Sequence, residues 1–127
     1  MAATTLSLVA MWVSSAPAHQ AGPVRMRFGR AWVPPGSNDV KVNWRVSLAT
    51  EQARVTLKRR VYVEWACPDG SIRWTSEKRV WTRLYWGGPW IENLTTRMKG
   101  GLPPNPGGCT TTSDARVRVL HLHSVAV

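Results

Sequence analysis

A chain of 127 residues makes one domain, or one domain with a tail, and is long enough to bury a core. Seventeen Lys and Arg against seven Asp and Glu give a net charge of +10, thirteen of the cations being Arg, and eight Trp stand on this basic background. One small core has room for only some of these indoles, so the composition speaks of recognition before catalysis and excludes a transmembrane helix for want of a long apolar run.

The apolar run Leu6 to Val13 is followed by Ser14-Ser15-Ala16-Pro17-Ala18. This pattern reads as a signal-peptide core with a small-residue cleavage site near Ala18, although no Lys or Arg precedes it. The competing reading of residues 1–21 is an apolar arm that docks as an added strand. Residues 22–127 then form a single domain.

Beyond residue 21 the dominant period is two. Val24, Met26 and Phe28 alternate with Arg25 and Arg27, and Pro34 to Asn38 supplies a turn. Val40, Val42, Trp44, Val46 and Leu48 alternate with Lys41, Asn43, Arg45 and Ser47 as a half-buried strand. The next run sets Val55, Leu57, Val61, Val63, Trp65 and Cys67 on one parity, interrupted by Arg59, which predicts a bulge or bend there. Lys58-Arg59-Arg60 is the one dense cationic cluster.

Pro68-Asp69-Gly70 reads as a tight hairpin connection. Ile72 and Trp74, then Val80, Thr82, Leu84 and Trp86, continue an even parity, with Ser76 to Lys78 as a loop between two short strands. Gly87-Gly88-Pro89 ends that pattern, and Trp90 to Lys99 is a weaker strand. Gly100 to Asp114 reads as a long Pro, Gly and Thr loop carrying Cys109, and Arg116 to Val127 as a closing strand with Val117, Val119, His121 and His123 on one face. Trp44, Trp65 and Trp74 are the indoles expected in the core.

No segment has helical periodicity. The expected fold is therefore all-β: an antiparallel β-sandwich of about seven strands with one disulfide, Cys67 to Cys109. Trp81 follows Cys67 by fourteen residues, and in that respect the chain resembles the immunoglobulin-like architecture. Cys109 stands in Pro-Gly-Gly-Cys-Thr and not in a strand, so the resemblance extends to architecture alone and implies no function.

Catalytic motifs are absent: no G-x-S-x-G, P-loop, H-E-x-x-H or dinucleotide-binding glycine pattern occurs. Glu64 and Glu77, on either side of the hairpin, are the one candidate carboxylate pair, but amid so many arginines they read as ion-pair partners. His121 and His123 share a strand face without a third ligand, so no metal and no cofactor is expected. The candidate binding site is the cluster around one glycine-rich turn: Tyr85, Trp86 and Trp90, with Arg83 and Arg97 close in sequence.

These features predict a secreted, non-catalytic module for protein–protein recognition, an adaptor or a subunit of a larger assembly. The alternatives are a carbohydrate-binding module that uses exposed Trp and Tyr, and a basic nucleic-acid-binding or virion protein, the former of these last two being disfavoured by secretion. The partner is expected to be a protein, with an anionic or glycan ligand as the other option.

Overall fold

The structure, a computed structural model, describes residues 19–127, with side chains from residue 22 onward. The signal-peptide or arm reading of residues 1–18 lies outside the described residues. The elements are β1 (His19–Ala21), β2 (Val24–Trp32), β3 (Val40–Leu48), β4 (Gln52–Ala66), β5 (Ile72–Trp86), β6 (Trp90–Met98) and β7 (Thr110–Ala126).

All strand pairs are antiparallel. Hydrogen bonds run through one continuous sheet in the order β5-β4-β7-β2-β3-β6, and the short β1 adds to β2. The expectation of an all-β antiparallel chain with one disulfide holds; the strands, however, join in a single sheet and do not separate into two. That sheet must curl. Laid flat, its two edge strands β5 and β6 would lie about 24 Å apart at the usual inter-strand spacing. Residues 87–89 join them, and such a link reaches only about 15 Å fully extended. The Gly88 N–H donates to the Glu51 carbonyl at 3.1 Å, which ties this link to the turn between β3 and β4.

Curling encloses two apolar clusters. One holds Val33, Val40, Val42, Val61, Val63, Trp65, Met98, Cys109 and Ala115. The other holds Val24, Met26, Val46, Leu48, Ala53, Val55, Leu57, Tyr85 and Leu122. Phe28 and Trp44 pack against both and stack on each other at 5.5 Å. Along β4 the boundary between the clusters falls at Arg59, with Leu57 on one side and Val61 on the other.

The alternation in β3 and β4 is read correctly from sequence, and the β4–β7 register does shift between Lys58 and Arg59. Pro34 accepts from the Ser37 N–H and Cys67 from the Gly70 N–H, closing the two expected turns. Cys67 and Cys109 are bonded, with Cα atoms 4.3 Å apart. They join neighbouring strands β4 and β7 of one sheet. Trp81 packs on the opposite cluster, against Trp44 and Tyr85, and not on the cystine.

Four expectations need correction. β5 is continuous, so residues 76–78 form no loop: every residue from Ile72 to Trp86 is paired along β4 without a break. Trp74, expected in the core, stands outside instead, because the even-numbered residues of β5 lie opposite outward residues of β4, Trp74 opposite Glu64 and Val80 opposite Lys58. Trp74 is accordingly 39% exposed and Val80 59%, while Tyr85 is buried. β7 begins at Thr110, so the preceding loop is shorter than the sequence implied. Finally, the bulge in β7 changes its parity: Val117 and Val119 pack inward, but beyond it Leu122 and Ser124 are buried and His121 and His123 are exposed.

Trp65 is buried, and its indole Nε1 donates to Thr75 Oγ1 at 2.7 Å across the β4–β5 pair. Trp65→Phe removes that bond and leaves the hydroxyl facing an apolar ring. The expected loss is about 1–2 kcal/mol of unfolding free energy, read from urea titration as a lower midpoint at constant slope.

Candidate binding site

The five residues singled out by sequence do not form one surface. Trp86 is 67% exposed at the outer end of β5, beside the glycine-rich link, with its carbonyl accepting from Trp90 Nε1 at 3.0 Å. Trp90 is half-buried and meets the buried Tyr85 edge-on, with ring centroids 5.3 Å apart and planes at 82°. Arg83 lies with its guanidinium 5.3 Å from the Tyr85 ring centroid. Arg97 is on the outer face of β6, where it pairs with Asp39 at 3.4 Å.

Tyr85 carries its hydroxyl into the interior, where it has no hydrogen-bond partner. Burial pushes its pKa up to about 12, with Arg83 opposing and Glu92 reinforcing the rise.

Two other arrangements emerge from the sheet. The first is the outer face of β5–β4–β7. The register places Lys78, Arg60 and Arg118 abreast on three adjacent strands, and Val80, Lys58 and His121 in the next row. Like charges directly opposite one another in a sheet repel. Arg60 turns part of its guanidinium to Ser76 Oγ at 3.1 Å, and Arg116 covers the Trp74 ring at 5.0 Å. Ile72, Trp74 and Val80 stay exposed among these cations. Glu64, on the same face, is engaged by the Thr112 hydroxyl at 2.6 Å.

The second arrangement lies inside the curl, between the two edge strands. Here a cavity of about 340 Å³ is lined by Phe28, Trp44 and Trp81 together with Arg59, Arg83 and Arg97. Along the seam Arg79 reaches from β5 to the chain beyond β6, its guanidinium donating to the carbonyls of Lys99, Gly100 and Gly101 at 3.1, 3.4 and 2.7 Å. At the other end of the seam the 87–89 link joins the two edge strands beside the Tyr85–Trp90 contact. Arg59 projects into this space half-buried, directly opposite Arg79 in the β4–β5 register. Burial first, and the neighbouring Arg79 charge second, hold its guanidinium below the ordinary arginine value. The Trp44 indole N–H in the same wall is buried without an acceptor.

Sequence reading noticed Arg59 only as an interruption and Lys58–Arg60 only as a cluster. The one usable signal was that alternation sends Lys58 and Arg60 to one face and Arg59 to the other. The remaining aromatic walls come from β2, β3 and β5 and share no local motif.

Glu64 and Glu77 sit on opposite faces of the sheet, Glu77 paired with Arg79 at 3.6 Å, so they form no carboxylate pair. The His121 and His123 rings stack at 6.4 Å. Among the described residues no group of three or more His, Cys, Asp or Glu is gathered as metal ligands, and no helix is long and apolar enough to cross a membrane. Comparison of the chain with protein-family models, with curated proteins and with solved structures finds no match.

Proposed function

We propose that this chain is a secreted, non-catalytic binding module that recognises a protein partner through the outer face of β5–β4–β7, its folded-over sheet serving as an immunoglobulin-like, sandwich-type scaffold. The observation that carries the reading is the row Lys78, Arg60 and Arg118 beside exposed Ile72, Trp74 and Val80. Among the described residues no carboxylate pairs with these abreast cations, and an acidic partner surface relieves their repulsion while the apolar side chains supply desolvated contact. Trp and Arg are also the residue types that dominate binding hot spots.

Secretion is supported by the disulfide, which persists in oxidising compartments. It is supported too by the apolar run Leu6 to Val13 and the small residues that follow it to Ala18. The crossed planes of Tyr85 and Trp90 present no coplanar pair to successive sugar rings, which weighs against the carbohydrate alternative.

The test is capture of partners from the culture fluid of the producing cells on the oxidised protein, alongside Trp74→Ala and Lys78→Glu/Arg118→Glu forms of unchanged melting temperature. A protein retained by the parent and reduced about tenfold or more by either change supports the reading. Retention that ignores both changes overturns it. So does capture of nucleic acid alone with a steep salt dependence, or of glycan alone.

A further inference from the structure

The curled sheet holds a second site, unrelated to the outer face. Between the edges β5 and β6 the interior opens into the cavity of about 340 Å³, within the size range of small-molecule pockets. Two features of its walls are chemically specific. Phe28 and Trp44 stack at 5.5 Å with only 12° between their planes, and Trp81 meets Trp44 edge-on at 6.2 Å. Flat apolar surface is thus presented from two directions. Every charged residue lining the cavity is a cation.

Arg59 is the decisive member. It occupies an inward position on β4 where its neighbours on the same face, Leu57 and Val61, are buried apolar residues. A desolvated charge is costly unless paired, and here the residue opposite is another arginine. Arg79 directs its own donors at the carbonyls of residues 99–101 and at Glu77, leaving Arg59 without a carboxylate among the described residues. Arg97 borders the cavity from β6 but turns its charge to Asp39 on the outer face, so the charge left to be matched is that of Arg59 and Arg83.

We propose that this cavity binds a small aromatic oxyanion, its carboxylate or sulfonate head against Arg59 and Arg83 and its planar body between Phe28, Trp44 and Trp81. Guanidinium groups bind such heads through paired N–H donors, and the aromatic walls reject a fully hydrated inorganic ion in favour of one with an apolar body. The seam between β5 and β6 is the route of entry, since among the described residues these two edges share no backbone ladder and the Trp90–Trp86 bond lies at the end beside the 87–89 link.

The experiment is calorimetric titration of the oxidised protein with 2-naphthoate, naphthalene-2-sulfonate and the neutral 2-naphthalenemethanol, with indole N–H resonances followed by NMR. The expected result is saturable one-to-one binding of either anion, about tenfold or more tighter than the alcohol, as one charge-assisted contact in a partly dry site provides. Shifts should concentrate on the Trp44 and Trp81 indoles. The carboxylate and sulfonate arms identify which head is preferred.

Arg59→Leu should weaken either anion about tenfold or more and leave the alcohol unchanged, because it keeps the wall and removes the charge. Trp81→Leu should weaken all three probes. The Lys78→Glu/Arg118→Glu protein should bind as the parent does, which separates this site from the outer face. Equal binding of the neutral probe, anion binding that survives Arg59→Leu, or shifts confined to indoles outside the cavity would overturn the proposal. Absence of any binding by all three probes would do the same.

Discussion

Replacing Cys67 and Cys109 together by alanine is expected to lower the unfolding free energy by about 4 kcal/mol. The bond closes a loop with a sequence separation of 42, and loop-closure entropy of a chain that long sets the figure. For a domain of this size the melting temperature falls by roughly 15–25 °C. The native fold already holds the loop before β7 by other means: Asn105 Oδ1 accepts from the N–H groups of Gly107 and Cys109, Asn105 Nδ2 donates to the Cys109 carbonyl, and Pro103 is fully buried. Those contacts do not substitute for the bond, because its main effect is on the unfolded chain. The double variant should therefore keep its near-ultraviolet dichroism and show a steeper urea dependence, since its unfolded state is free to expand. A loss below about 1 kcal/mol with an unchanged slope would show that the unfolded chain is compact without the bond.

Much of the fold was legible because β3 and β4 are long and, Arg59 apart, alternate so regularly that one face must be dry. The two cysteines, being the only ones, had one possible pairing. β5 defeated the same reasoning. Its larger apolar residues, Ile72, Trp74, Val80 and Trp86, lie outside, and its inner positions include Arg79, Trp81, Arg83 and Tyr85. Hydrophobicity alone chooses a strand's inner face only when that face meets a closed core. β5 is an edge strand whose inner face meets a cavity and solvent, so its register with β4 decided instead.

β7 was misread for a different reason. The bulge opposite Lys58–Arg59 inserts one extra residue and flips every later side chain, and nothing local in Arg118 to His123 announces it. The same irregularity lies at the level of Arg59, where the two apolar clusters part. A single interrupted alternation in β4 was thus the only trace in the sequence of both the bulge and the cavity.

The charge excess also acquires a structural meaning. Arg27 opposes Arg45, Lys41 opposes Arg97, Arg59 opposes Arg79, and Arg60 stands between Lys78 and Arg118. These are cross-strand positions, where opposite charges stabilise a sheet and like charges oppose it. The Asp39–Arg97 and Glu77–Arg79 pairs offset two of the sites. The rest of the repulsion is offset by the disulfide and by two dry clusters, and on the proposed reading an acidic partner relieves it. Binding of an acidic partner and thermal stability should therefore rise together.

Tyr85 sets the upper pH limit of this balance. Its phenol is buried without a hydrogen-bond partner and titrates at about 12 in the folded chain, against about 10 when exposed. Between those values the unfolded chain has released the proton and the native chain still holds it. The native state then binds more protons, so unfolding free energy falls as pH rises through this window, by up to about 2.7 kcal/mol. Below pH 10 both states keep the proton and the group adds no slope. Arg83 from β5 and Glu92 from β6 act on the phenol with opposite signs and do not cancel the effect of burial. Tyr85→Phe keeps the ring against Trp81 and Trp90 and deletes the unpaired hydroxyl. At pH 7 it should leave stability unchanged or raise it by up to about 1 kcal/mol, since a buried polar group without a partner is removed. From pH 10 to 12 its stability should decline less steeply than that of the parent. Lysine deprotonation and loss of net positive charge are common to both proteins, so the difference between their urea midpoints across this range reports Tyr85 alone. Parallel midpoints from pH 9 to 12 would place the phenol in contact with solvent in the folded chain.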